Sequence, residues 1–137
     1  KRAIQRRGGG VIFGPRPRSY NQKVNKKIKH LAMERALCDQ ASCENISLIE
    51  EWKVAEPKTK LFKALLANVA PDSKKILVIS DVFSDHVGLA GRNLSIARLG
   101  RAQDLNALDI VQADKIICSL NGLDVLLAKF GKEKVES

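Results

Sequence analysis

The stretch Lys75-Ile76-Leu77-Val78-Ile79-Ser80 decides the fold. Successive side chains of a strand point to opposite faces, so four apolar residues in a row make both faces greasy. Such a strand belongs inside a parallel sheet that is covered on both sides. A second run of this kind, Lys115-Ile116-Ile117-Cys118-Ser119, predicts a buried partner, and residues 46–49 and 96–100 read as shorter strands. Helical patterns fill the intervals at 57–69, 85–94, 106–112 and 122–130, the first opening on a favourable proline, Pro57. Strands alternating with helices at this spacing predict an α/β fold: a single domain with a mainly parallel sheet, helices on both faces and right-handed crossovers. The globular part is expected to span residues 22–131, with a polar tail at 132–137.

Upstream of the first strand, residues 24–43 read as a helix. Val24, Ile28, Leu31, Ala32 and Cys38 fall within one arc at 100° per residue and are expected to face the core. Lys23, Lys26, Lys27, Lys29 and His30 fall opposite, as an electropositive face. Arg35 projects from the middle of the apolar arc and needs an acid, a snorkelling path or a partner.

Charge is unevenly distributed. The first 35 residues hold eleven Lys or Arg and a single acid, Glu34, whereas the remaining 102 hold thirteen bases and fourteen acids. The net +9 is thus a local +10 attached to a nearly neutral body. Residues 1–21 have no periodicity, and Gly8-Gly9-Gly10 with Pro15 and Pro17 predict an extended, turn-punctuated basic arm. Glycine lets a backbone pass close to another surface, and the prolines fix φ so that Arg16 and Arg18 project outwards. A polyanion is the partner such a segment suits, because each neutralised phosphate releases counterions. With six aromatic residues in the whole chain, a stacking platform for single-stranded bases is not expected.

The three cysteines, Cys38, Cys43 and Cys118, are odd in number and lack zinc spacing, so they read as free thiols of a reducing compartment, with Cys118 in the core. No apolar run reaches the ~18 residues of a membrane span, and a membrane partner is not expected. The start is too charged and glycine-rich for a signal peptide, and the chain, opening on Lys1, reads as a fragment or a processed form.

Other motifs are weaker. The glycines at 8–10 follow a basic coil and precede a proline, whereas a nucleotide-binding loop follows a buried strand and opens a helix. Gly88 and Gly91, four residues apart inclusive, suit close packing of a helix on the sheet, with Arg92 and Asn93 at its end free to reach a phosphate. Asp81, Asp85 and His86 follow a buried strand, where open α/β sheets bind ligands, but no nucleophile or second histidine accompanies them. Turn and capping roles are commoner for such residues. Lys58 and Lys60 stand on the first turn of a helix, a place that suits an anion. No metal or cofactor is expected.

The segment Gly8-Gly9-Gly10-Val11-Ile12-Phe13-Gly14-Pro15-Arg16-Pro17-Arg18, with Ser19-Tyr20 and Lys23-Val24-Asn25-Lys26-Lys27, resembles the large-subunit ribosomal protein L-four family of bacterial or organellar type. Pro57-Lys58-Thr59-Lys60, Leu89-Ala90-Gly91-Arg92-Asn93-Leu94 and Ala107-Leu108-Asp109-Ile110 with Ala113-Asp114-Lys115 follow in the same order. The resemblance runs from about residue 4 to residue 130. It implies a non-catalytic α/β domain bound to large-subunit ribosomal RNA and to neighbouring ribosomal proteins, in a ribosome of the bacterial cytoplasm or of an organelle. It also implies a long basic loop ahead of the glycines, of which residues 1–7 would be the end, and an absent first strand and helix. Some members of that family bind messenger RNA as well. Arg35 departs from the small residue the resemblance leads one to expect.

The residues expected to touch RNA follow from both readings. Lys1, Arg2, Arg6, Arg7, Arg16 and Arg18 would fork onto phosphates, and Gly8, Gly9 and Gly10 would allow close backbone approach. Tyr20, Asn21 and Asn25 could reach sugars or base edges, Lys23, Lys26, Lys27, Lys29 and His30 would form the cationic helix face, and Lys58, Lys60, Arg92 and Asn93 would add peripheral contacts. Two alternatives stand beside this one: a free nucleic-acid-binding regulator acting on messenger RNA or DNA, and a small-molecule enzyme at Asp81, Asp85 and His86.

Overall fold

Ile76–Ser80 forms a strand in which all five residues are buried. The structure, a computed structural model, describes residues 2–130; Lys1 and the polar tail at 132–137 lie outside the described residues. Four strands, β1 (Ile46–Ile49), β2 (Ile76–Ser80), β3 (Ala97–Arg101) and β4 (Lys115–Ser119), alternate with five helices, α1 (Lys26–Ser42), α2 (Thr59–Val69), α3 (Asp85–Gly91), α4 (Ala107–Gln112) and α5 (Leu120–Phe130). The sheet runs β1-β4-β2-β3, and every neighbouring pair is parallel. In register, Val78 of β2 sits between Ile117 of β4 and Leu99 of β3.

The period of two along β2 divides the core. Leu77 and Ile79 point to one face, where they meet Ile116 and Cys118 together with Ala36 of α1, Ile110 of α4 and Leu126 of α5. Ile76 and Val78 point to the other, where Ile117 joins Phe62 and Leu66 of α2 and Val87 and Ala90 of α3. On that second face the Trp52 and Phe62 rings pack tilted at 5.8 Å, and the Trp52 indole donates to the Ile79 carbonyl at 3.4 Å. Helices therefore cover both faces, as the unbroken apolar runs require.

Helix boundaries shift slightly from the sequence reading for local reasons. Lys58 holds an extended conformation as the N-cap of α2, so that helix starts at Thr59 and not at Pro57. Strand β4 runs straight into α5, because the Ser119 hydroxyl accepts the Gly122 amide at 3.1 Å and caps the helix from the strand's last residue. Gly91, at the end of α3, is held tightly. A Cβ there would lie 2.9 Å from Leu99 Cδ1 and 3.0 Å from Phe62 Cε1, while one on Gly88 would meet nothing within 4 Å.

Helix α1 is rotated from its expected setting. Val24, Ile28, Leu31, Ala32 and Cys38 are all exposed, and the side turned to the sheet carries Met33, Ala36, Leu37 and Gln40. The polar Gln40 anchors this face: its amide donates to the carbonyls of Ile110 and Ala113, each at 3.2 Å, tying α1 to α4. Those two bonds supply acceptors at the end of α4, where backbone partners run out, with a side-chain donor from α1. Arg35, on the outward side, pairs with Asp39 one turn later at 2.9 Å.

Candidate nucleic-acid interface

The basic segment begins as a tight loop. The Arg6 amide donates to Ala3 at 3.0 Å, Gly9 to Arg6 at 2.9 Å and Gly10 to Arg2 at 3.1 Å. Over residues 2–10 the chain thus folds back on itself in consecutive turns and does not run extended as the sequence suggests. Gly8 has φ +74°, a left-handed setting that glycine adopts without a Cβ penalty. A Cβ on Gly9 would lie 2.2 Å from the Ala3 carbonyl oxygen. Gly9 thus permits a close approach of the chain to its own backbone.

Residues 14–25 form no helix or strand and are almost wholly exposed. A turn at Ile12 and Phe13 precedes them, with Phe13 at φ +52°. For a bulky residue this setting costs about 1–2 kcal/mol. The Phe13 ring is nonetheless 91% exposed. Farther on, the Arg18 guanidinium lies over the Tyr20 ring, 4.6 Å from its centre. Phe13, Gly14, Pro15, Arg16, Arg18 and Tyr20 together line an open groove of about 520 Å³.

Arg2, Arg6, Arg7, Arg16, Arg18, Lys23, Lys26, Lys27 and Lys29 are all exposed, and none forms an ion pair among the described residues. Asn21 and Asn25 are exposed within the same segment, Asn25 as the N-cap of α1. His30 is exposed as well, and its ring meets Phe130 edge-on at 5.9 Å.

The more distant expected residues lie away from α1. Lys58 and Lys60 open α2 and Arg92 and Asn93 follow α3, which places all four on helices covering the sheet face opposite α1. Lys58 is moreover paired with Glu56.

The enzyme-like cluster does not converge. Connections leave β2 towards one sheet face and β4 towards the other, so the crevice between their carboxyl ends is the switch point where α/β folds bind ligands. Asp81 lines it beside Glu50 and Glu51, but Asp85 and His86 lie outside on exposed turns of α3. Its buried hydroxyls are committed to one another: Ser119 donates to Ser80 at 3.1 Å, and Ser80 to the Val82 carbonyl at 3.0 Å. Among the described residues no group of three His, Cys, Asp or Glu is placed to hold a metal ion, and no helix is long and apolar enough to cross a membrane.

Sequence reasoning passed over Phe13, because an apolar residue in a Gly/Pro-rich coil has no periodicity to mark it. It also passed over Arg98, whose guanidinium reaches the buried Asp109 carboxylate of α4 at 2.8 Å. That contact is a charge pairing to an oxygen that accepts no hydrogen bond among the described residues.

The sequence model of the ribosomal protein L4/L1 family matches residues 1–129, almost the whole chain. The chain belongs to that family. Among curated relatives it is 39% identical over 112 residues to the large ribosomal subunit protein uL4 of Cytophaga hutchinsonii, covering 82% of this chain and 54% of the relative. The protein of the same name from Staphylococcus haemolyticus is 41% identical over 116 residues, covering 85% and 56%. That of a Synechocystis strain is 38% identical over 129 residues, covering 92% and 60%. The chain thus spans between about half and three fifths of the length of these relatives. The comparisons give no support to a free regulator, a messenger RNA partner or an enzyme.

Proposed function

We propose that this chain is a structural, non-catalytic component of the large ribosomal subunit, and that its basic segment binds ribosomal RNA. The observation that carries the reading is the run of nine exposed cations between Arg2 and Lys29 without an acid partner among the described residues. A surface of like charges repels itself, and phosphate neutralisation with counterion release offsets that repulsion. The relatives' names, large ribosomal subunit protein, support the same partner. In this role Arg2, Arg6, Arg7, Arg16 and Arg18 take phosphates in bidentate fashion, and Lys23, Lys26, Lys27 and Lys29 add point charges at the start of α1. The sheet and its helices hold α1 in place, and neighbouring ribosomal proteins meet the remaining surface. The test is sedimentation: a tagged chain expressed in bacteria should travel with large ribosomal subunits on a sucrose gradient and stay there at moderate salt. A chain that remains at the top of the gradient, with its fold intact by circular dichroism, sinks the proposal.

A further inference from the structure

Six aromatic residues are few for a base-stacking protein, but their placement matters more than their number. Trp52 and Phe62 are buried, Phe83 and Phe130 are half-buried, and the two exposed rings, Phe13 at 91% and Tyr20 at 73%, both belong to the arm. Both line the same open groove, and the other charged groups lining it are Arg16 and Arg18. Phe13 holds its exposed position in a left-handed backbone setting that would suit glycine better, so the strain is borne for a ring that packs against nothing in the chain. Tyr20 already carries the Arg18 guanidinium over its face at 4.6 Å, which pre-orders a flat, cationic wall.

We infer that the groove between Phe13 and the Arg18–Tyr20 pair receives an unpaired nucleobase, with Arg16 on the adjoining phosphate. The inference rests on the RNA-binding reading above and adds to it the kind of nucleotide the arm takes. A duplex keeps its bases stacked inside and offers only backbone to an arm, whereas unpaired nucleotides present π-faces to aromatic rings and to guanidinium planes. An apolar ring surrounded by arginines has no use for a phosphate, but it suits a base whose own phosphates are held by those arginines. The selectivity is for unpaired over paired nucleotides and tolerates any base, since every base has a π-face.

The experiment uses the full chain and two labelled oligouridylates of about twelve nucleotides, one intact and one with its central nucleotides abasic. Fluorescence anisotropy at low salt should show the intact oligomer bound about tenfold more tightly by the wild type. Phe13→Ala and Tyr20→Ala should each remove that preference, Phe13→Trp should keep it, and Phe13→Leu should lose it because leucine is apolar but has no π-face. Equal binding of the two oligomers by the wild type overturns the inference and leaves phosphate binding standing. Retention of the preference by Phe13→Leu also overturns it and gives Phe13 to an apolar protein surface instead. Failure to bind either oligomer, or ribosomal RNA itself, overturns this inference and the RNA-binding reading together.

Discussion

The His30 ring meets the Phe130 ring edge-on, with centroids 5.9 Å apart and planes at 65°. This contact joins the first turns of α1, where the lysines cluster, to the last residue of α5. The exposed His30 thus links the cationic end of α1 to the half-buried Phe130. Aromatic edge contacts contribute roughly 0.5–1.5 kcal/mol beyond area burial. His30→Ala should lower unfolding stability by about 1 kcal/mol in urea titration. Phe130→Ala should cost more, about 3 kcal/mol, because it also strips a ring from the apolar cleft between α1 and α5.

Gly88 and Gly91 should respond to alanine in opposite directions. At Gly91 the new methyl must displace Leu99 and Phe62, and overpacking of that kind costs about 1–3 kcal/mol. At Gly88 the methyl enters open space, and the better helix propensity of alanine should add up to about 1 kcal/mol. Thermal unfolding of the two single variants checks the pair, and equal effects would contradict the packing described for α3.

Asp109 is largely buried, and its solvent-shielded Oδ1 has one charged neighbour among the described residues, the exposed Arg98. Removing the cation should therefore hurt more than removing the pair. Arg98→Met is expected to destabilise by about 1–3 kcal/mol, and adding Asp109→Asn should restore part of the loss. A double-mutant cycle by chemical denaturation reads the coupling.

The Cys118 thiol is buried in the sheet, and burial pushes its pKa up from 9.0 to about 11. Cys38 and Cys43 are exposed. A thiol reagent at neutral pH should label two cysteines of the native chain and the third only after denaturation. The raised folded pKa also sets a sign. Between about pH 9 and 11 the unfolded thiol loses its proton while the folded one keeps it, so stability should fall as pH rises through that window and level off above it.

Strands β2 and β4 are legible because their signal is redundant: a continuous apolar run has no face to mistake. Strands β1 and β4 end where the sequence places them. Helix α1 was legible as a helix but not in its rotation. Its apolar residues surround the axis, so Ile28 and Leu31 outweigh the true inward stripe of Met33, Ala36 and Leu37 when counted by hydropathy, and Val24 precedes the helix altogether. Gln40 hides that stripe further, since its role depends on two carbonyls about seventy residues away. The same limit applies to the arm. Charge alone marks Arg16 and Arg18, but the exposure of Phe13 and Tyr20 in one groove is a property of the folded backbone. Lys58 and Arg92 look equivalent to the cations of α1 in sequence, and only the folded sheet separates them onto the face opposite that helix.

The claim that the arm is the RNA-binding element is tested most directly by a salt series. Binding of the full chain to large-subunit ribosomal RNA should weaken with a log–log slope on the order of −4 to −9, as expected for six to ten phosphate contacts. Replacing Arg16 and Arg18 together by Glu should flatten that slope by about two or more and abolish tight binding, with an unchanged circular dichroism spectrum. An unaltered slope and affinity in the folded double variant would contradict the account.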